Sequence, residues 1–214
     1  MDQKKRALAI EKRLAEGYPD AKCSLVFKNA YELLTATVLS AQCTDERVNQ
    51  VTPGLFKLCP TPAALAALSQ QELERIIRST GFYRNKAKSL LGASRMIGEN
   101  YGGRVPSTME ALVTLPGVAR KTANVVLSNA FGKSEGVVVD THVFRLAGRL
   151  GLTGAKEPEK VEKDLMRLFP RESWVALGHR LIQHGRCACT ARKPDCESCV
   201  LSDLCPKIGV QGAA

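Results

Sequence analysis

Lys121 lies at the start of a predicted helix, shortly after the turn residues Pro116 and Gly117. A cation in the first turn of a helix opposes the helix dipole, which costs about 0.3 to 1 kcal/mol at an exposed position. Some other benefit must offset that cost, and either a phosphate contact or a nucleophilic amine would do so. A nucleophilic amine must first lose its proton, which neighbouring cations promote. Arg120 and the helix N-terminus would be such neighbours.

Asp140 follows the extended run 137–139 and precedes a segment with helical spacing. Aspartate is common as a helix N-cap, and this is the plainest interpretation of the residue. A capping carboxylate is held rigidly, so it can also face a cleft and take part in chemistry. The three histidines have no recognisable ligand spacing and are interpreted as structural residues: His142, His179 and His184.

Four cysteines near the C-terminus are spaced C-x6-C-x2-C-x5-C, at positions Cys189, Cys196, Cys199 and Cys205. In a reducing compartment such a cluster indicates metal ligation, by either a tetrahedral zinc or an iron-sulfur cube. Only one C-x2-C pair is present, which favours iron-sulfur over zinc. The loop between the first two ligands carries Arg192 and Lys193, which predicts a phosphate contact there.

The elements that position these residues are predicted to be helices. Apolar residues recur at a period near 3.6 along nearly the whole chain, so the fold class is all-α. Breaks such as Thr52-Pro53-Gly54 divide the chain into roughly ten short helices. The run 136–139 is interpreted as an extended connection rather than a strand.

Residues 107–132 are predicted to form a helix-hairpin-helix, with Ser107 or Thr108 as the first cap and Gly132 as the end. Such a turn directs the backbone N–H groups of the second helix towards solvent, where they suit a phosphate. The turn and first-turn positions predicted to contact DNA are Gly117, Ala119 and Arg120.

The chain has 214 residues, a net charge of +10 and a pI near 9.3. This balance favours a polyanionic partner, nucleic acid first and an anionic membrane surface second. Between Arg75 and Arg95 there are six basic residues and no acidic one, around an aromatic tip at Phe82. This segment is either a solvated face or a surface that faces phosphates. With no apolar run of spanning length and no signal-peptide pattern, we expect a cytosolic location.

Three features together resemble the endonuclease III family of DNA repair glycosylases: LPGVARKTANVV at 115–126, VDTH at 139–142 and the cysteine spacing. The resemblance extends from about residue 33 to residue 205. It implies a six-helix domain at 23–134 that contains the hairpin. Residues 1–22 and 135–214 would form a second helical domain with a [4Fe-4S] cluster at 189–205, and DNA would lie in the cleft between the domains.

The resemblance also implies roles for particular residues. Lys121 and Asp140 match the family's catalytic pair, and the four cysteines match its cluster ligands. Gln42 matches the residue that fills the gap left by an extruded nucleotide, and Phe82 stands where the family more often has a leucine wedge. Ala119 replaces a hairpin glycine of many relatives, which predicts a less permissive turn.

The implied function is that of a bifunctional DNA glycosylase and abasic-site lyase of base excision repair. It would remove oxidised pyrimidines from double-stranded DNA and cut by β-elimination through a lysine Schiff base, as a monomer at the nucleoid in a bacterial cytoplasm. One alternative is an adenine mismatch glycosylase, but those enzymes lack the hairpin lysine and carry a further C-terminal domain. The other is a DNA-binding module without catalytic activity.

Overall fold

The computed structural model describes residues 2–210, and in that range the secondary structure is helical, with eleven α-helices, two short 3₁₀ helices and no strand. The α-helices are α1 (Gln3–Gly17), α2 (Ala30–Leu39), α3 (Asp45–Leu58), α4 (Pro62–Ala66), α5 (Gln70–Ile77), α6 (Tyr83–Tyr101), α7 (Met109–Leu112), α8 (Arg120–Phe131), α9 (Thr141–Arg149), α10 (Pro158–Leu168) and α11 (Trp174–Cys187). The 3₁₀ helices are Arg78–Thr80 and Arg171–Ser173. The all-α prediction is confirmed.

The chain divides into two units. One consists of residues 23–133 and contains α2 to α8. The other combines the residues up to 22 with those from 134 onwards, and contains α1 and α9 to α11. Each unit has its own cluster of buried apolar side chains.

The 23–133 unit is built around α2. Residues 31–39 of this helix are all buried, so every side of the helix faces the core of this unit. The side chain of Asn29 caps its N-terminus by accepting a hydrogen bond from the backbone N–H of Glu32. α2 packs against α3, α6 and α8, so the loop that follows it at residue 40 starts from a fixed point.

The predicted break at Thr52-Pro53-Gly54 is wrong, because α3 continues through it. A proline inside a helix costs about 3 kcal/mol, since its ring leaves one carbonyl without its N–H partner. Val48, Thr52 and Leu55 lie at intervals of three and four residues and are fully or almost fully buried. Each buried side chain on that face stabilises the helix by about 1 kcal/mol or more, and together they outweigh the cost of the proline.

In the other unit, α11 packs against α1 and α9, and α10 packs against α1 and α9. The core contains Ile10 of α1, Leu146 of α9 and Leu181 of α11, all fully buried. Residues 137–139 form neither a helix nor a strand and lead into α9, so this run is a connection rather than a strand. No helix within residues 2–210 has the length and apolar character needed to span a membrane.

Candidate functional site

The hairpin consists of α7, a tight turn and α8. The hydroxyl of Thr108 caps α7 by accepting a hydrogen bond from the backbone N–H of Ala111 at 3.3 Å. In the turn, Gly117 has a φ of 78°, a value that side chains rarely tolerate. A Cβ atom at this position would lie 2.6 Å from the Cβ of Ser89. Both the backbone conformation and the available space therefore require glycine at 117.

Gly117→Ala is expected to destabilise the protein by roughly 3 kcal/mol, because the left-handed backbone costs a side chain about 1–2 kcal/mol and overpacking adds about 1–3 kcal/mol. Gly132→Ala is the matched control, since Gly132 has a φ of 65° but no neighbouring atom within 4 Å of the added Cβ. This control should lose the backbone contribution alone. Urea unfolding of both variants measures the difference, and equal losses would show that Ser89 yields without cost.

Ala119 is exposed and is the N-cap of α8, with φ −86° and ψ 170°. Alanine is less permissive than glycine, as the sequence predicts, but any residue adopts these angles, so the observed turn does not require glycine at 119. Alanine offers no side-chain acceptor, so α8 begins without a capping side chain. The N-terminus of such a helix suits an anion, through its amides and its dipole.

Lys121 and Arg120 occupy the first turn of α8, and both are exposed. The Lys121 amine is therefore accessible to a molecule that approaches this end of the helix from solvent. The sequence left a phosphate contact and a nucleophile as alternatives for Lys121. An accessible amine is compatible with either role.

Asp140 caps α9. One carboxylate oxygen, Oδ1, accepts hydrogen bonds from the backbone N–H groups of His142 at 2.9 Å and Val143 at 2.8 Å. The cap interpretation is therefore confirmed. Among the described residues Oδ2 accepts no hydrogen bond, and the carboxyl group is only partly buried. A carboxylate oriented by two backbone bonds on one oxygen keeps the other for a further partner.

Gln42 and Phe82 share an uncommon backbone conformation. Their φ angles are 53° and 47°, and within residues 2–210 the only other non-glycine residue with a positive φ is Lys207. Such conformations cost free energy and occur often at functional sites. Both side chains are exposed, and 63% of Phe82 is accessible to solvent. An exposed phenylalanine on a strained backbone can be inserted into a partner.

Five of the six basic residues between 75 and 95 are exposed: Arg75, Arg78, Arg84, Lys88 and Arg95. The sixth, Lys86, is buried with 5% of its surface exposed. The prediction that all six share one solvent-accessible face is therefore wrong for Lys86. Its helical spacing on α6 directs it into the core.

The four clustered cysteines line one cavity, which is partly open to solvent. All four are free thiols and partly buried. Burial raises the pKa of the Cys199 and Cys205 thiols. The apolar side chains of Leu146, Leu150 and Leu201 are among the other residues that line this cavity. Cys187 is exposed and does not line the cavity.

Three of these sulfur atoms accept N–H hydrogen bonds from the protein. Bonds of this kind stabilise metal-bound thiolates and influence the potential of an iron-sulfur cluster. The pairs are Arg149 Nη1 to Cys189 at 3.3 Å, the Leu201 amide to Cys199 at 3.4 Å and the Lys207 amide to Cys205 at 3.3 Å.

His184 lies between Tyr18 and Cys199. Its Nδ1 is 2.8 Å from the Tyr18 hydroxyl, and its Nε2 is 3.6 Å from the Cys199 sulfur. Burial lowers the pKa of His184 to about 4, so the ring is neutral near pH 7. If Tyr18 donates to Nδ1, the single ring proton is on Nε2 and faces the sulfur. The sequence gives no sign of the contact between Tyr18 and His184, because the two residues are far apart in the chain.

The loop after Cys189 is held by Arg149. The guanidinium group donates to the carbonyls of Thr190 at 2.7 Å and Ala191 at 2.8 Å. The Thr190 hydroxyl donates to the carbonyl of Lys193 at 2.6 Å. Arg192 and Lys193 are exposed on this restrained loop, which lowers the entropy lost when they bind a partner. Arg149 is a functional candidate that the sequence motifs do not reveal.

The donor set fits an iron-sulfur cube better than a single zinc ion. Among residues 2–210, no three His, Cys, Asp or Glu side chains converge in a way that would hold one metal ion. Four thiolates around one zinc would each lie about 2.3 Å from it. In a cube each cysteine binds a different iron, so the sulfur atoms surround a wider space. The shared cavity and the N–H donors to sulfur agree with that arrangement.

Comparison with known proteins gives two family matches. Residues 35–171 match the model of the HhH-GPD superfamily base excision DNA repair proteins. Residues 189–205, from the first to the last clustered cysteine, match the iron-sulfur binding domain of endonuclease III.

Similar proteins cover nearly the whole chain. Endonuclease III of Synechocystis sp. is 56% identical over 204 residues, which is 95% of this chain and 93% of that protein. Two solved structures, a non-covalent endonuclease III–DNA complex and a trapped covalent endonuclease III–DNA intermediate, each superpose with a TM-score of 0.92 at 46% identity and cover 97% of both chains.

Proposed function

The chain belongs to the endonuclease III family and is a DNA glycosylase with abasic-site lyase activity, and we propose that Lys121 is the amine that forms its Schiff base with DNA. The observation that carries this assignment is the exposed Lys121 on the uncapped first turn of α8. A related protein has been trapped as a covalent DNA intermediate. We further propose that the substrates are oxidised pyrimidines and that the protein acts as a monomer at the bacterial nucleoid.

The hairpin supplies a contact to the DNA backbone that is independent of sequence. The open turn at Gly117 and Ala119 leads into the uncapped N-terminus of α8, where backbone N–H groups and Arg120 favour a phosphate. Arg192 and Lys193 provide a second phosphate contact from the restrained loop. Phosphate contacts of this kind fix the position of the protein on the duplex without reading the bases.

Gln42 and Phe82 act on the base stack. A base within a duplex is inaccessible, so the nucleotide must be extruded at a cost of a few kcal/mol. Phe82 enters the stack as an apolar wedge, and Gln42 occupies the space that the extruded nucleotide leaves. Poorly stacked damaged pyrimidines are extruded most easily, which is the physical basis of the proposed preference.

The chemistry follows from an amine attacking the sugar. Neutral Lys121 Nζ bonds to C1′, the glycosidic bond breaks and the base leaves with a proton. The sugar ring opens to a Schiff base, which makes the C2′ proton acidic. Loss of that proton expels the 3′ phosphate by β-elimination, and water then releases the sugar fragment and restores the amine.

We assign Asp140 to the charge that develops on the sugar. A carboxylate beside an amine favours the ammonium form, so it would not serve to deprotonate the nucleophile. Positive charge on the sugar increases as the glycosidic bond breaks, and a fixed carboxylate stabilises it or accepts a proton. The rigid capping geometry at Oδ1 suits this role.

The family's [4Fe-4S] cluster is the cofactor, and we propose Cys189, Cys196, Cys199 and Cys205 as its ligands. When bound, it cross-links the C-terminal loop and contributes folding free energy. The glycosylase and lyase steps involve no electron transfer, so the residues of the hairpin and of α9 account for the chemistry.

Cys199→Ala is expected to prevent cluster assembly, because one iron loses its thiolate ligand. Iron analysis of the purified wild-type protein should give about four irons per chain, and the variant far fewer. Cys187→Ala is the matched control, since that cysteine is exposed and outside the cavity. Zinc in place of iron in the wild-type protein would contradict the iron-sulfur cluster, and iron loss in the control would contradict the ligand assignment.

Borohydride reduction of the wild-type protein in the presence of DNA tests the proposed function. A duplex containing one oxidised pyrimidine should become covalently attached to the protein. A protein that binds this duplex but gives no adduct would be a binding module instead. A panel of duplexes with single lesions then ranks the substrates and tests the proposed preference for pyrimidines.

A further inference from the structure

Lys86 is the only buried lysine within residues 2–210, and the roles proposed above do not use it. Its Nζ donates hydrogen bonds to two backbone carbonyls, those of Leu39 and Thr80, each at 2.7 Å. Among the described residues it makes no ion pair with a carboxylate. Burial lowers the pKa of Lys86, and the charge of Cys43 opposes that shift. Burial of an ammonium group costs free energy, so the buried position of Lys86 needs a physical explanation.

The two carbonyls belong to the ends of two helices. Leu39 is the last residue of α2, and Thr80 is the last residue of the 3₁₀ helix at 78–80. Carbonyls in the last turn of a helix have no partner within it, and a cation there also complements the dipole. A single ammonium group in this position links both helix ends.

The two helix ends lead directly into the loops that carry the proposed DNA-probing residues. Gln42 follows Leu39 by three positions, in a segment of residues 40–44 that we call the Gln42 loop. Phe82 follows Thr80 by two positions, in residues 80–83, the Phe82 loop. Both probing residues have positive φ angles, which surrounding structure must maintain. Lys86 contacts the base of each loop through a carbonyl.

Lys86 also belongs to the helix that begins at the Phe82 loop. Its backbone N–H donates to the carbonyl of Phe82 at 3.1 Å, in the first turn of α6. The Thr80 hydroxyl donates to the carbonyl of Ile77 at 2.8 Å, and Thr80 is itself buried. The Phe82 loop is thus fixed locally, and the Nζ bond to Leu39 connects it to the Gln42 loop.

We infer that Lys86 is a positioning residue that fixes the Gln42 loop relative to the Phe82 loop, so that the two probing side chains enter duplex DNA together. This inference rests on the proposed roles of Gln42 and Phe82. Insertion into a base stack requires both side chains in register, and displacement of such groups by about 1 Å can slow a reaction about 100-fold.

The first test compares Lys86→Met, which keeps the length of the side chain but removes its donors, with Lys57→Met. Lys57 is an exposed lysine on α3 with no proposed role in binding. We expect single-turnover base excision from a duplex with one oxidised pyrimidine to fall roughly 10- to 100-fold in Lys86→Met. Borohydride trapping on a single-stranded oligonucleotide with one abasic site needs no stack to be opened and should be unchanged.

The two substrates separate the possible results. An equal loss on both substrates, or no loss on the duplex, would overturn the positioning role. Failure of the wild-type protein to form an adduct with either substrate would instead contradict the proposed lyase function. Circular dichroism and thermal unfolding compare the folded fraction of each variant. If Lys86→Met cannot be purified folded, Lys86→Gln, which keeps an amide donor but no charge, is compared in the same way.

A double-mutant cycle tests the link to the loops. In a Gln42→Ala, Phe82→Ala background both probing side chains are absent, so Lys86→Met should cause no further loss of excision rate. The same loss as in the unaltered background would show that Lys86 acts elsewhere. A general loss of stability would instead lower the excision rate in both backgrounds, so the cycle distinguishes it from a positioning role.

Discussion

Replacing Lys121 by alanine is expected to abolish the borohydride-trapped DNA adduct and to slow base excision by about 10⁴-fold or more, the scale seen when other enzymes lose a covalent nucleophile. The physical reason is that alanine has no group able to bond to C1′. Because Lys121 is exposed, its removal leaves no cavity and no unpaired buried group, so folding should be unaffected. The measurement is single-turnover excision from a duplex with one oxidised pyrimidine.

Lys57→Ala is the matched control, another exposed helical lysine of the 23–133 unit. It should retain the adduct and the excision rate. DNA affinity of Lys121→Ala should fall only slightly, because one phosphate contact at most is lost. A Lys121→Ala protein that still forms the adduct would transfer the nucleophile role to another amine and leave Lys121 as a phosphate contact.

The hairpin and the caps could be predicted from the sequence because their determinants are local. Thr108, Asp140 and Gly132 adopt the cap roles that their residue types favour. The cysteine spacing likewise predicted a ligand set whose members line one cavity. In each case a few consecutive residues decide the conformation.

Other features depend on contacts between distant segments and could not be predicted. Pro53 continues a helix because one face of α3 is buried, and the sequence does not show what covers that face. Lys86 resembles its basic neighbours in the sequence, yet its carbonyl partners come from other segments, one of them 47 positions away. Arg149 and Cys189 are 40 positions apart. Local propensity and charge patterns carry no information about these pairs.

The backbone at Gln42 and Phe82 shows how the fold serves the function. Neither residue type favours a positive φ, and although Phe82 stands at the tip of the basic segment, no sequence pattern predicts a positive φ at either position. The resemblance to a known family, not the residues themselves, identified both as DNA-probing positions. The structure adds a physical reason to examine them, because the fold maintains a costly conformation at both exposed positions.

Asp140→Asn is expected to reduce turnover by about 100-fold or more, the scale of a lost general acid–base group, without loss of stability. Asparagine is as good an N-cap as aspartate, and its side-chain oxygen can accept the same bonds from the His142 and Val143 amides. Only the negative charge is removed, so the substitution separates the chemical role from the cap. Binding to abasic duplex DNA should be retained, as a gel-shift titration can show.

Asp140→Ala completes the argument because it removes both roles at once. Loss of the cap should cost about 0.5–2 kcal/mol in urea unfolding, a loss that Asp140→Asn should not show. If both variants turn over equally slowly, the charge accounts for the catalytic loss and the cap for the stability. If Asp140→Asn keeps the wild-type rate while Asp140→Ala is slow, Asp140 contributes only by starting α9, and positive charge on the sugar must be stabilised by another group.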